Sequence, residues 1–377
     1  MRMVLDRRTV FALVLAIGLL QTACHYLAGA LVRSDGGMAI PQTDTLLYCQ
    51  AAKRIVEGFP LSFSTGTAAS TGTTSYAYPF MLAIPYALGF KGDSLIRAGF
   101  FLNGFFYLVF LWGWGVVIDR KLKGNLARLV GVVTIACLGQ TAYSAFAQSD
   151  IGMWLAVSAL LAAGLTLRNR WIYGTILVIG PWVRPEGIVC TIAFWMVLCV
   201  VLFRCRLRLP CRGNMSECTR WDVAIAIAAL MSVMCVFAAN MLISGHIQFS
   251  SIAHKGHFKV FPFAHAVFST GIDMLKLLKG LILGIPAGSP RDFYSVPVIG
   301  AALMWFGIFS RDWRKVDWRG FVWLLAIVGG ILTVAQSGWQ NTNIDRYIGW
   351  VLPTVLFFAA EGAGFFATRF ERLLPAR

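Results

Sequence analysis

Acidic and basic residues at a few positions of this apolar chain are the ones best suited to chemistry. Asp44 lies where a short helical pattern begins, inside a polar stretch between two apolar segments. Arg184 and Glu186 flank a proline, and Asp345 precedes Arg346 at the end of a later apolar segment. A carboxylate can take a proton from a hydroxyl, and guanidinium groups bind phosphate. These residue types together suit transfer of a group from an anionic substrate to a hydroxyl.

Each of these residues also has a purely structural interpretation, and both interpretations stay open at this point. Asp44 fits a helix N-cap, because an aspartate there accepts a hydrogen bond from the first turn. Arg184 and Glu186 fit an ion pair at the end of a membrane span, and so do Asp345 and Arg346. The collection as a whole is therefore more informative than any one member.

Four further residues belong to this collection. Asp150 fits the start of an apolar helix, and Tyr76 follows a run rich in Gly, Ser and Thr. Lys255 and His257 lie in an aromatic stretch that holds four of the five histidines. The histidine spacing fits no metal site on a helix, so a divalent metal is left open but not predicted, and we expect no cofactor.

The composition indicates a membrane protein. The chain has 377 residues, of which 58% are hydrophobic and 13% are charged, and its mean hydropathy is +0.70. Soluble domains carry about 25% charged residues, and repeated apolar runs of about 20 residues are typical of membrane spans. We therefore predict an all-α polytopic membrane protein, with residues 1–377 in a single domain.

We predict ten membrane-spanning helices and two long outer loops. Residues 33–94 form the first loop, with an amphipathic helix that starts near Asp44 and a half-inserted helix over Tyr78–Phe90. Residues 244–294 form the second loop, with an amphipathic segment over Ile272–Ile285. The spans are Thr9–Val32, Leu95–Ile118, Leu126–Phe146, Ile151–Leu167, Trp171–Trp182, Ile188–Phe203, Asp222–Ile243, Ser295–Phe309, Phe321–Gln336 and Tyr347–Phe366.

The positive charges give this topology a direction. The net charge is +16, and most Lys and Arg residues fall in short segments that the ten spans place on one side. Such segments stay in the cytoplasm, so we predict a multi-pass protein of the inner (plasma) membrane with both termini cytoplasmic. The candidate residues then lie on the periplasmic or extracellular face. Because the charge is spread over these loops, we predict no nucleic-acid partner.

Five segments, taken in chain order, carry a family resemblance. They are the acidic and aromatic first loop from Thr43 to Gly89, Ser149 to Met153, the Trp-Val-Arg-Pro-Glu-Gly step at 182–187, the lysine-containing loop from Gly245 to Gly271, and the Asp-Arg-Tyr step at 345–347. In these segments the chain resembles the GT-C class of integral membrane glycosyltransferases. One departure is that the first loop supplies a single acid, Asp44, where the class often has two.

The resemblance implies an activity and a set of roles. The class moves a sugar from a polyprenyl-phosphate donor to a hydroxyl of a glycan, lipid or protein acceptor at the membrane surface. Asp44 would act as the general base, and Arg184, Lys255 and Arg346 would hold the phosphate. The other substrate-binding candidates are Tyr76, Asp150, Glu186, His257 and Asp345. The alternatives are a flippase or transporter of lipid-linked sugars and a non-catalytic membrane protein that keeps the fold.

Overall fold

The computed structural model describes residues 6–32, 37–38, 44–64, 66–67, 69–70, 73–206, 220–245, 247, 262–278, 298–313, 316–336 and 349–373. Its regular elements over these ranges are α-helices. They are α1 (Arg7–Leu31), α2 (Asp44–Val56), α3 (Ala77–Ala87), α4 (Asp93–Lys121), α5 (Asn125–Ala136), α6 (Gly139–Phe146), α7 (Asp150–Leu167), α8 (Arg170–Val183), α9 (Pro185–Arg206), α10 (Arg220–Ser244), α11 (Phe263–Leu278), α12 (Val298–Ser310), α13 (Trp318–Gln336) and α14 (Leu352–Leu373).

The helices support the prediction of a membrane-embedded helical protein. Within the described ranges, six helices are long and apolar enough to cross a bilayer: α1, α4, α7, α9, α10 and α13. A span needs about 20 apolar residues, which these helices supply. The predicted spans at α5, α8 and α12 are helices of only 12 to 14 residues. Six of the described helices could therefore cross a membrane by length and composition, and the total of ten spans remains a prediction.

Side chains and prolines at the helix starts set the boundaries. The carboxylate of Asp6 accepts a hydrogen bond from the Thr9 amide at 2.8 Å and caps α1. Asn169 caps α8 through the amides of Trp171 and Ile172. Pro185 opens α9, and proline suits the first position of a helix because the amide lost there has no helical partner anyway. These caps explain why α7, α8 and α9 follow each other with almost no connecting residues.

Helix α7 lies at the centre of the bundle and packs closely on α4. Gly113 of α4 contacts the backbone of Ala159, and Gly152 of α7 contacts Asn103. Small residues let the backbones of membrane helices approach, and the resulting packing holds them together. Asn103 and Gly113 follow each other along α4, and their contacts Gly152 and Ala159 follow in the same order along α7. Helices α4 and α7 therefore run in the same direction.

The helices from α7 to α10 give the bundle two distinct ends. Gly164 lies against Tyr173, so α8 returns antiparallel to α7, and Tyr173 hydrogen bonds to Asp222 at the start of α10. Asp150 therefore lies at the same end as Arg184, whereas Asp222 lies at the other. We name these ends the Asp150 face and the Arg168 face, after the first residue and the C-cap of α7. The 18 residues of α7 separate them by about 27 Å.

Helices α2 and α3 cover the Asp150 face. The rings of Tyr48 and Tyr78 meet edge to face at 5.0 Å, and the Asn103 amide donates to the Tyr78 hydroxyl at 2.6 Å. Gly58 follows α2 with a φ of +83°, a backbone conformation that glycine adopts without strain. The predicted amphipathic helix from Asp44 is thus confirmed.

Two of the predicted elements differ from the structure. The span predicted over Leu126–Phe146 is two helices, α5 and α6, because the α5 pattern ends at Cys137. The segment predicted as amphipathic from Ile272 begins earlier, since α11 starts at Phe263 within the stretch predicted as loop. Residues 279–297 lie outside the described part of the chain.

The orientation of α12 also departs from the predicted topology. Leu303 lies against Gly362 and Gly307 lies against Phe358, so α12 and α14 run antiparallel. The ten-span topology requires the spans at these two positions to run parallel. The predicted topology took the direction of each helix from its flanking charges. The close glycine contact between α12 and α14 shows instead that these two helices run antiparallel.

We predict that Gly187→Ala destabilises the fold. A Cβ atom at Gly187 would clash with the carbonyl carbon of Gly180, where α9 crosses α8. Overpacking of this kind costs about 1–3 kcal/mol in the free energy of unfolding. The thermal midpoint of the variant, measured in the detergent used for the wild type, should fall.

Gly271→Ala is the matched control for this substitution. No atom of the described residues lies within 4 Å of a Cβ at Gly271, and alanine favours a helix over glycine by up to about 1 kcal/mol. The midpoint of this variant should stay or rise. Equal midpoints for the two variants would contradict the close contact of α8 and α9.

Candidate functional site

A buried ionic cluster forms where α8 meets α9. Arg184 is the extended C-cap of α8, with φ −159° and ψ 155°, as expected for the residue before a proline. Its Nε and one Nη donate to the two carboxylate oxygens of Glu186, each at 3.0 Å. Its other Nη lies 2.8 Å from Oδ2 of Asp150. The Arg-Pro-Glu sequence therefore folds into a bidentate ion pair that reaches across to α7.

A hydrogen-bonded chain of hydroxyls extends the cluster to the first loop. Thr74 donates its hydroxyl proton to Oδ2 of Asp150 at 2.7 Å. The Tyr48 hydroxyl lies 3.1 Å from the Thr74 oxygen, and because a threonine has a single hydroxyl proton, Tyr48 is the donor in this contact. Burial, together with the negative charge of Asp150, holds the pKa of Tyr48 well above its usual range. Tyr48 thus remains a donor at neutral pH.

The cluster is shielded from solvent. Asp150, Arg184 and Glu186 expose only 2%, 3% and 4% of their surface. Ion pairs in such surroundings cost several kcal/mol per ion in lost hydration and persist when hydrogen bonds satisfy both partners. Here one guanidinium serves two carboxylates, and the arrangement fixes the positions of α7, α8 and α9 relative to each other.

The corner before α7 presents polar atoms to the same region. Gln148 has a φ of +53°, which turns the chain sharply into Ser149 and Asp150. The amide of Gln148, the hydroxyl of Ser149 and the indole nitrogen of Trp154 are buried without a hydrogen-bond partner among the described residues. Buried polar groups normally have partners, so these atoms mark a place where a polar ligand or water would be stabilised.

Helix α2 brings Asp44 to this corner. The hydroxyl of Thr45 donates to the carbonyl oxygen of Ala147 at 3.3 Å, so the first turn of α2 lies against the α6–α7 connection. Asp44 is half-buried and lies four residues before Tyr48, on the same side of the helix. The N-terminus of a helix also favours a negative charge. Asp44 is therefore a carboxylate at the edge of the cluster, outside the buried ion pairs described above.

Tyr76 connects the cluster to an apolar groove. Its hydroxyl donates to Oδ1 of Asn240 at 2.6 Å, and its amide donates to the Trp182 carbonyl at 3.0 Å. Burial raises the pKa of Tyr76 to about 12. The groove has a volume of about 550 Å³ between α3, α8 and α10. Its lining includes Tyr76, Phe80, Met81, Trp182, Ala239 and Ile243.

The structure brings part of the predicted collection together. Asp150, Arg184 and Glu186 are in direct contact, Tyr76 is two residues from Thr74, and Asp44 lies beside the corner that leads to Asp150. The remaining predicted residues lie outside the described part of the chain, so their roles stay predictions. They are Lys255, His257, Asp345 and Arg346.

Sequence reasoning missed three residues of the site: Tyr48, Thr74 and Asn240. Tyr48 had a signal, because it lies one helical turn from Asp44 on the apolar side of α2. Thr74 was hidden in a run of similar residues. Asn240 is a polar side chain inside an apolar span, and such residues tend to have a partner in the bundle.

Comparisons with known proteins do not assign this site. The chain matches no protein-family model, no curated protein and no solved structure. In the part of the chain that the structure describes, no group of three or more His, Cys, Asp or Glu side chains is placed to hold a metal ion. The function is therefore argued from the cluster and the groove themselves.

We predict that Arg184→Ala lowers the free energy of unfolding by about 3–5 kcal/mol, since it leaves two buried carboxylates without their cation. Arg97→Ala is the control, because Arg97 and Asp93 form a pair whose side chains are 39% and 38% exposed. Exposed pairs contribute little, so this variant should unfold like the wild type. Thermal or denaturant unfolding of the purified protein measures both effects.

A third variant distinguishes the effect of stranded charges from the effect of lost side-chain packing. Adding Asp150→Asn and Glu186→Gln to Arg184→Ala removes the stranded charges, so much of the lost stability should return. If the triple variant is no more stable than Arg184→Ala, the loss comes from packing of the arginine side chain and the electrostatic account is wrong.

Proposed function

We propose that this protein is a membrane glycosyltransferase that moves a sugar from a polyprenyl-phosphate donor to a hydroxyl of an acceptor. The observation that supports this best is the position of the ionic cluster beside an apolar groove at one face of a membrane bundle. A lipid-linked donor has the same two parts, a long apolar chain and a polar phosphate and sugar. The resemblance of the first loop and the 182–187 segment to GT-C enzymes points the same way.

The groove suits the isoprenoid chain of the donor. Its lining is almost entirely apolar, and it is wide open to its surroundings between α3 and α10. A lipid could therefore enter it from the bilayer without crossing a polar surface. Tyr76 and Trp182 lie at the wall shared with the cluster, and such amphipathic rings suit the boundary between apolar chain and polar head.

Asp44 is the carboxylate that we assign to proton transfer. Asp150 and Glu186 are buried, whereas Asp44 is half-buried at the edge of the site and so more accessible to an acceptor. The acceptor oxygen would bond to the anomeric carbon of the sugar while the bond from that carbon to the phosphate oxygen breaks. Asp44 takes the acceptor proton, and polyprenyl phosphate leaves with the bonding electrons.

The buried cluster would position these groups. Arg184 orders Asp150 and Glu186, and the Tyr48–Thr74–Asp150 chain ties helix α2, and with it Asp44, to α7. We assign retention of the phosphate to Lys255 and Arg346, as the resemblance to GT-C enzymes implies, with Arg184 as a neighbouring cation. Asp345 and His257 remain candidates for contacts to the sugar.

We predict that Asp44→Asn reduces kcat about 10²–10⁴-fold, the usual contribution of a general base. The assay follows labelled sugar from a panel of polyprenyl-phosphate sugars into acceptors in a membrane extract. Glu57→Gln at the other end of α2 is the control and should keep the wild-type rate. Thermal midpoints of both variants establish that they are folded.

The outcomes of this assay separate the competing functions. Wild-type protein that moves lipid-linked sugar across vesicles without forming a glycosidic bond would identify a flippase. Wild-type protein that neither transfers nor moves any donor would support a non-catalytic role. An unchanged rate for Asp44→Asn would remove Asp44 from the mechanism while leaving transferase activity established.

We also predict that Ala239→Trp, which fills the groove, raises KM for a long-chain donor about tenfold through lost apolar contact. A citronellyl-phosphate sugar, whose chain is too short to occupy the groove, should keep its KM. Ala238→Trp is the control, because residue 238 is exposed on another side of α10. Equal effects on both donors would show that the groove does not hold the lipid chain.

A further inference from the structure

A second cavity, with charged side chains in its wall, lies at the Arg168 face, at the opposite end of the bundle from the proposed reaction. It has a volume of about 120 Å³ and lies between α4, α7, α13, α14 and the segment that joins α12 to α13. That space is several times the volume of about 30 Å³ that a water molecule occupies in the liquid. The proposed sugar transfer uses none of the residues around it.

The described lining of this cavity is strongly cationic. Four basic side chains and one acid contribute to it: Lys121, Arg168, Arg311, Arg319 and Asp317. Asp317 is shared, because its Oδ2 lies 3.1 Å from Nε of Arg168 and 3.1 Å from an Nη of Arg319. One carboxylate thus faces two guanidinium groups, which leaves positive charge in the cavity wall.

The acids that pair with Arg319 and Arg311 do not neutralise the positive charge of the cavity wall. Arg319 is only 3% exposed, and its second acid, Asp222, lies 3.8 Å away. Its Nε–H is buried with no hydrogen-bond partner among the described residues. Arg311 is bound to Glu361 at 2.9 Å and lies over the rings of Phe357 and Phe358. A buried donor without an acceptor is costly, so the Nε–H of Arg319 calls for an oxygen atom in this cavity.

Lys121 is the most available cation of the group. It is the last residue of α4, and it forms no hydrogen bond and no ion pair with any other described residue. A flexible ammonium group of this kind is well suited to meet a phosphate oxygen as a point charge. Removing it would strand no acid, which distinguishes it from Arg168 and Arg319.

The N-terminus of α13 adds a further electrostatic attraction for an anion in this cavity. Asp317, Arg319 and Gly320, at the first turn of this helix, are all part of the cavity wall. The first amides of a helix carry partial positive charge and attract anions. Here the helix terminus supplements charged side chains, and it does not define the site by itself.

We propose that this cavity binds a phosphate group, carried either by an anionic lipid headgroup or by a soluble phosphate. Its oxygens would accept from the Nε–H of Arg319 and from Lys121, between the guanidinium groups of Arg168 and Arg311. The site is independent of the proposed sugar transfer, because it lies at the opposite end of α7.

The experiment uses full-length protein in two kinds of nanodisc. In phosphatidylcholine discs, inorganic phosphate is titrated against chloride at equal ionic strength, and the thermal midpoint is followed. In a second series, discs that contain phosphatidylglycerol are compared with pure phosphatidylcholine. The variants are Lys121→Gln, the charge-retaining Lys121→Arg, and Lys123→Gln, a matched control that removes a cation two residues away outside the cavity lining.

We expect phosphate or phosphatidylglycerol to raise the midpoint of the wild type. Lys121→Gln should weaken the binding that produces this shift about tenfold, the usual effect of losing one charge-assisted hydrogen bond, whereas Lys121→Arg and Lys123→Gln should retain it. A response to phosphate in neutral discs identifies a soluble ligand, and a response only to phosphatidylglycerol identifies a lipid. If neither additive acts, or if Lys121→Gln and Lys123→Gln weaken the response equally, the proposal is overturned.

Discussion

Two carboxylates buried against one guanidinium form the interaction on which this architecture depends. Burial of Asp150, Arg184 and Glu186 costs the hydration free energy of three ions. Their mutual attraction offsets this cost only if the three side chains keep their geometry, because the attraction is strong at short range and weak when water enters. The register of α7 against the α8–α9 junction follows from that requirement. Thr74 extends the constraint to the first loop, so helices far apart in the sequence share one fixed point.

Local rules in the sequence predicted some parts of this arrangement better than others. The Arg-Pro-Glu step was readable, since a proline restricts the residue before it and opens the next helix. Counting alternating spans placed Asp150 and Arg184 on the same face, but their direct contact was not predicted. The break between α5 and α6 lies within one continuous apolar segment, so hydropathy did not predict it. The direction of α12 was not predicted either, because hydropathy is the same along both directions of an apolar segment. Tyr48 and Thr74 depend on how the first loop folds back, which no local pattern encodes.

The two ends of α7 divide the molecule electrostatically. At one end, carboxylates outnumber the cation that binds them, and an apolar groove opens beside them. At the other end, cations outnumber the carboxylate in the cavity wall. The proposed sugar transfer and the proposed phosphate site are thus separated by about 27 Å and a bundle of apolar side chains.

The order in which the cluster is made has a consequence for biosynthesis. Asp150 leaves the ribosome before Arg184, and at elongation rates of about 5–20 residues per second the delay is about 2–7 s. During that time the carboxylate at the head of α7 lacks its cation, which opposes stable burial of this helix alone. The α8–α9 hairpin, closed by the contact of Gly180 with Gly187, supplies the missing charge as one preassembled unit. We therefore expect stable burial of the central helix to depend on residues translated after it.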